Sequence, residues 1–202
     1  MEFTLLLSIP FVAGFLTVPD IIVRTMFAHG AFTSADASVA AVTLAAYAIG
    51  LIPFVLIRSA VATFYARKDT ATPVKAALIG IGVNLALKIV LMTPLAQVGL
   101  ALGTAAGAWV NLLLVIGFAI HAGHLTIDRE MRMSLAKFAA TGVVLALAFR
   151  VIVRVAPELL AGLPRFHDEA TLLLLIVAGS VIYAATIVAL FGRRWIMALV
   201  RG

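Results

Sequence analysis

Three side chains in this chain lie deep in apolar stretches and call for a chemical explanation: Arg58, Asn84 and Asn111. A charge at the centre of a hydrocarbon span costs at least about 2.5–3.5 kcal/mol on insertion scales, so it faces a cavity or a partner, or reaches for the headgroups. Arg58 precedes Arg67 by nine positions, about 13 Å along a helix. Two readings fit it: a water-filled, anion-accepting cavity, or snorkelling towards the nearer interface. The two asparagines are neutral but need partners in lipid. They are read either as interhelical glue worth about 0.6–2 kcal/mol each or as the lining of an aqueous path. All three are candidates for a substrate cavity. Lys88, Arg150 and Arg154 stand near expected helix ends and read as interfacial anchors.

His121 and His124 have an H-x-x-H spacing that brings two imidazoles to one helix face, but no third ligand stands in register, so no metal site is expected. His29 and His167 stand alone. The chain has no G-x-S-x-G, H-E-x-x-H or P-loop motif and no paired intramembrane carboxylates. Without cysteine it has no disulfide, thiolate nucleophile or Cys-based metal site. No catalytic residue and no cofactor is assigned, and the chain does not read as an enzyme.

The elements that must hold these residues are apolar rods. Hydrophobic residues make up 64% of the 202 positions and charged residues 12%, with a mean hydropathy of +1.17; soluble domains carry about 25% charge. A spanning helix needs about 20 apolar residues, and six stretches qualify: 3–23, 37–65, 74–92, 99–120, 135–155 and 170–191. The expected fold is therefore an all-α polytopic bundle of six transmembrane helices. Glu2 replaces the basic start of a secretory signal, so the first stretch reads as a retained helix. Pro10 and Pro53 are expected to kink their helices.

The net charge of +6 sits mainly at helix ends, a pattern of membrane orientation that implies no nucleic-acid partner. Arg67, Lys68, Lys75, Arg129, Arg132, Lys137, Arg193, Arg194 and Arg201 fall at alternate connections, against Arg24, Arg154 and Arg165 on the other side. The first set marks the cytoplasm, and both termini with it. Thr93-Pro94 should end the third span before a tight outer turn. Thr72-Pro73 should start it, with Thr72 as N-cap and Pro73 at the first helical position. Gly99, Gly103 and Gly107 recur every fourth residue, a small-residue stripe that lets backbones pack closely in lipid. Ser59, Ala62, Thr63 and Ala66 make a second stripe.

Three segments in order go beyond composition: FAHGAFTSADA (27–37), YAIGL (47–51) and FYARKDTATPVK (64–75). Together they resemble the carboxy-terminal half of the MurJ/MviN family of lipid II flippases, whose pattern places an outer x-x-G-x-F-T-x-x-D loop before Y-x-x-G-L and a cytoplasmic F-Y-A-x-x-D-x-x-T-P turn. The matching positions are Gly30, Phe32, Thr33, Asp36, Tyr47, Gly50, Tyr65, Asp69, Thr72 and Pro73. They read as architectural. Gly30 can turn a loop, Asp36 can cap a helix, and Asp69 with Thr72 can organise a turn.

The resemblance implies a MATE/flippase-like fold of the MOP superfamily, in which two six-helix lobes enclose a cationic cavity and two additional helices follow. This chain is similar to the last six of fourteen helices. Residues 1–126 would be four helices of the second lobe, and 127–202 the additional pair, with a possible groove for the lipid tail and a cytoplasmic end. The implied substrate is an undecaprenyl-linked peptidoglycan precursor, carried across a bacterial plasma (inner) membrane for cell-wall synthesis. The implied partners are that lipid, the surrounding membrane lipids and the missing amino-terminal part of the flippase. The family's cavity arginines lie mainly on helices absent here, so the chain is expected to be incomplete alone. An exporter of another lipid-linked saccharide or of drugs, and a non-transporting fragment or assembly partner, remain as alternatives.

Overall fold

In lipid a backbone must satisfy its own hydrogen bonds, and helices do so within one segment. The computed structural model describes residues 2–28, 32–126, 128–160, 162 and 167–192, and six helices hold most of them. These are α1 (Glu2–Thr17), α2 (Pro19–Phe27), α3 (Ser34–Tyr65), α4 (Ala71–His121), α5 (Arg129–Leu159) and α6 (His167–Phe191). Gly30, His29, Arg165, Arg193, Arg194 and Arg201 lie outside the described residues.

α4 is two helical limbs, 71–95 and 97–121, broken where Ala96 takes φ 46° and ψ −126°. Counting α1–α2 as one bent crossing, the expected six spans are present: that pair, α3, the two limbs, α5 and α6. The third span ends at Leu95, one residue beyond the expected Thr93-Pro94, and a tight turn at Ala96 follows as expected. Pro94 lies inside the helical run, and the chain reverses just beyond it.

The first span departs from a single rod kinked at Pro10. α1 runs through Pro10, then breaks at Val18 (φ −134°, ψ 38°), and α2 leaves at 87° with Pro19 as its first residue. Proline biases the residue before it away from helix. Apolar residues flank Pro10 on both sides, whereas Asp20 and Arg24 follow Pro19.

Two compact units form, one from within 1–8 and 46–133, the other from within 9–45 and 134–202. In the first, Ala60, Phe64, Ala76, Leu112, Val115 and Ala119 are the buried core. It joins the later part of α3 to both limbs of α4, and the Trp109 indole donates to the Ile49 carbonyl at 2.9 Å. In the second unit Ala13, Val18, Ile21, Leu145, Phe149 and Leu175 cluster, with the Phe149 ring occupying the space a side chain at Gly179 would need. Val23 packs separately on Ala37 and Ala41. An exposed ion pair of Arg24 with Asp168 at 3.4 Å links α2 to α6, a geometry worth about 0–1 kcal/mol.

Local capping corrects two assignments. Thr33, not Asp36, precedes α3. The Asp36 carboxylate accepts from the Thr33 N–H at 3.0 Å and hydroxyl at 2.6 Å, while the Asp36 N–H donates back to that hydroxyl at 3.2 Å. This is a capping box, with the acid three residues into the motif. At α4 the residue before the helix is Thr70, which makes no side-chain cap, and Thr72 is already helical. The Thr72 N–H donates instead to Asp69 Oδ1 at 3.0 Å. The acid takes the capping role because its carboxylate reaches an unpaired N–H of the first turn.

Candidate functional site

The site is built on a hairpin. The two limbs of α4 run antiparallel in a fixed register, because the nearest neighbours of successive glycines step backwards: Gly99 faces Leu91, Gly103 faces Lys88, and Gly107 faces Asn84. One turn further on, Gly80 faces Asn111. A Cβ at Gly107 would lie 2.6 Å from Asn84 Cβ and 2.7 Å from the Gly80 carbonyl oxygen. No residue larger than glycine fits that approach without separating the limbs. Small residues thus substitute backbone contact for hydrophobic drive, which lipid does not supply. α3 closes on the second limb by the same means, since a Cβ at Gly50 would meet Ala105 Cα at 2.8 Å.

This seam places Asn84 and Asn111 on the wall of one cavity. It holds about 230 Å³ and is lined by Pro53, Phe54, Ile57, Ala77, Gly80, Ile81, Asn84, Thr104, Gly107, Ala108 and Asn111. The Oδ1 atoms of both asparagines are buried, and no hydrogen-bond partner reaches them among the described residues. Leaving a buried carbonyl unpaired costs about 1–3 kcal/mol. A second cavity of about 290 Å³ lies among Tyr47, Gly50, Leu51, Phe54, Thr104 and Ala105, and shares Phe54 and Thr104 with the first.

Arg58 is not brought together with the asparagines. It is exposed on α3, one turn beyond Phe54, and is not among the lining residues of either cavity. Tyr65 is exposed and Pro73 buried, while Phe32 packs near Phe27 with ring centroids 6.3 Å apart.

The turn between α3 and α4 explains the spacing of its motif. The Asp69 N–H donates to the Phe64 carbonyl at 3.1 Å and the Lys68 N–H to the Tyr65 carbonyl at 3.0 Å, with Lys68 at φ 59°. This is the paired bonding of a Schellman motif with its left-handed residue at Lys68. It delivers Asp69 to the start of α4, where the Thr72 hydroxyl and N–H hold its carboxyl below the ordinary value of 3.8. The far end of the hairpin closes in the same way around Gly123, at φ 69°. That closure sets His124 edge-on to Phe64 at 5.5 Å.

Comparison with known proteins matches this architecture. The family model described as lipid II flippase MurJ covers residues 1–163. The chain belongs to this family. A probable lipid II flippase MurJ of Rhizobium meliloti (strain 1021) is 34% identical over 186 residues, covering 92% of this chain and 35% of the relative. That of Haemophilus influenzae (strain ATCC 51907 / DSM 11121 / KW20 / Rd) is 29% identical over 94% of this chain and 37% of its own length. The chain therefore spans little more than a third of these curated relatives. A solved structure of lipid II flippase MurJ in an inward closed conformation shares the fold, with a TM-score of 0.77 at 22% identity over 96% of this chain and 38% of that one. The chain is a multi-pass membrane member of the MurJ family.

Sequence reasoning selected the two asparagines but missed Phe54 and Thr104, which line both cavities. A signal for Phe54 was present: it precedes Arg58 by four residues and so shares a helix face with it. Thr104 gave none, since its hydroxyl bonds back to the Leu100 carbonyl at 2.9 Å, as threonines in apolar helices do.

Proposed function

We propose that this chain supplies the carboxy-terminal helices of a lipid II flippase, which moves an undecaprenyl-linked peptidoglycan precursor across the bacterial plasma membrane. The observation that carries the reading is the family match over residues 1–163. Residues 1–126 act as four helices of the second lobe and 127–202 as the additional pair, the termini lying in the cytoplasm as the basic connections direct. No covalent step is involved. The headgroup crosses in an aqueous path while the tail stays in lipid. Asn84 and Asn111 offer their carbonyls to headgroup donors, and Arg58 meets its phosphate, a pairing suited to a planar guanidinium. The motif positions Phe32, Thr33, Asp36, Gly50, Asp69, Thr72 and Pro73, and the seam glycines, hold the frame.

Two lobes must move against each other for alternating access, so the chain works with the amino-terminal helices of the transporter. The test is rescue of cells depleted of their own flippase. Co-expression with an eight-helix amino-terminal part is expected to restore growth, and the chain alone is not. Failure of the pair would overturn the reading, and rescue by the chain alone would overturn the need for a partner. Competition by another lipid-linked saccharide in place of lipid II would overturn the substrate.

A further inference from the structure

α3 sorts its side chains by chemistry as well as by burial. At 3.6 residues per turn, Tyr47, Leu51, Phe54, Arg58 and Tyr65 fall within about 30° of a single line along the helix. Tyr47 is 47% exposed, Phe54 61% and Tyr65 56%, and Arg58 is exposed with them. The remaining aromatic of the later part of α3, Phe64, is 1% exposed and belongs to the core. Aliphatic Ile49, Ile52, Val55 and Leu56 occupy other faces of the same helix. A helix turned wholly to lipid has no reason to gather its exposed rings around its single arginine, because a guanidinium in hydrocarbon is costly.

The geometry points to this stripe as a track for the glycosyl-phosphate headgroup of a lipid-linked saccharide. The rings of Tyr47, Phe54 and Tyr65 are platforms for the apolar faces of sugar rings, and Arg58 is the anion-binding step between them. This assignment rests on the flippase reading and adds the parts of the substrate that α3 recognises. The spacing suits a headgroup of several units: Phe54 is about 6 Å from Arg58 along the axis, and Tyr65 about 10 Å beyond it. Charge complementarity favours a phosphate-bearing ligand over a neutral lipid tail. Both cavities open beside the stripe, with Tyr47, Leu51 and Phe54 on their walls, so rings on the track and the unpaired asparagine carbonyls can act on one headgroup. Tyr47 and Tyr65 then serve as substrate contacts as well as family-motif positions.

The chain contains no cysteine, so single cysteines report accessibility directly in native membranes. Y47C, F54C and Y65C are expected to react with a charged, water-soluble thiol reagent, and I49C and V55C are not; unreactive stripe positions would overturn the assignment. Recognition is tested on the full chain, purified from membranes with whatever it assembles with and placed in lipid nanodiscs. The probes are a polyprenyl pyrophosphate and the same lipid carrying a disaccharide. Phe54→Leu and Tyr47→Leu should each weaken binding of the glycosylated probe by about threefold to tenfold, the range of a single aromatic contact, and leave the bare pyrophosphate lipid unchanged. Arg58→Gln should weaken both probes, and Phe54→Trp should restore the first. Unchanged binding in the leucine variants, or equal loss of both probes, overturns the track while leaving the flippase reading intact. A wild-type protein that binds neither probe overturns both.

Discussion

Replacing Gly107 with alanine tests whether the α4 hairpin is held by backbone approach. The added methyl would stand 2.6 Å from Asn84 Cβ and 2.7 Å from the Gly80 carbonyl oxygen, where contacts below 3.0 Å require something to move and ordinary contact begins at 3.4 Å. Neither neighbour is the tip of a flexible side chain, so the limbs must part by roughly 0.8 Å, the distance from 2.6 to 3.4 Å. A radial gap of about 0.5–1 Å already forfeits a quarter to a half of the dispersion well for each contact along the seam, and overpacking of this kind costs about 1–3 kcal/mol. Gly82 and Gly117 are matched controls, since a Cβ at either meets nothing within 4 Å. Alanine there should be neutral or gain up to about 1 kcal/mol of helix propensity. The assay is reversible unfolding in mixed micelles with a rising fraction of denaturing detergent, followed by helicity. Gly107→Ala is expected to unfold at a lower fraction than the native chain, and the controls at the same or a higher one. Equal midpoints for Gly107→Ala and Gly117→Ala would refute the close-packed seam.

Two further outcomes follow from the same structure. The Asp69 carboxyl is held below its ordinary value by the Thr72 hydroxyl and N–H, so its support of the α3–α4 turn is complete above pH 3.8 and fades as pH falls through the lower folded-state value. Protection of residues 66–75 against hydrogen exchange, taken relative to the intrinsic rate at each pH, should therefore fall in acid, and Asp69→Asn should flatten that dependence; an unchanged profile would remove the turn from the carboxylate's control. Trp109→Phe deletes the 2.9 Å bond to the Ile49 carbonyl, and should lower stability by about 0.6 kcal/mol and by no more than about 1.7 kcal/mol, the average and the maximum measured for such bonds between membrane helices.

Much of this was readable in one dimension. The crossings were legible because hydrocarbon tolerates few charges, and the glycine stripe because close backbone approach demands small residues at fixed spacing. The turn motif 64–75 was recognisable, but its mechanism was not. Asp69 caps α4 only because Lys68 adopts φ 59°, a backbone state that lysine does not advertise. The break lies at Val18, where a kink at Pro10 was expected, and Pro19 biases the residue before it away from helix.

By itself, the sequence determined that this chain lives in a membrane, where it crosses and which family it resembles, since each follows from transfer free energy and local residue pattern. The tertiary structure alone decided that Asn84 and Asn111 share a cavity while Arg58 stands outside it. The register of two limbs folded at Ala96 brings together residues twenty-seven apart in the chain. That register is a property of the hairpin's packing, absent from either limb alone.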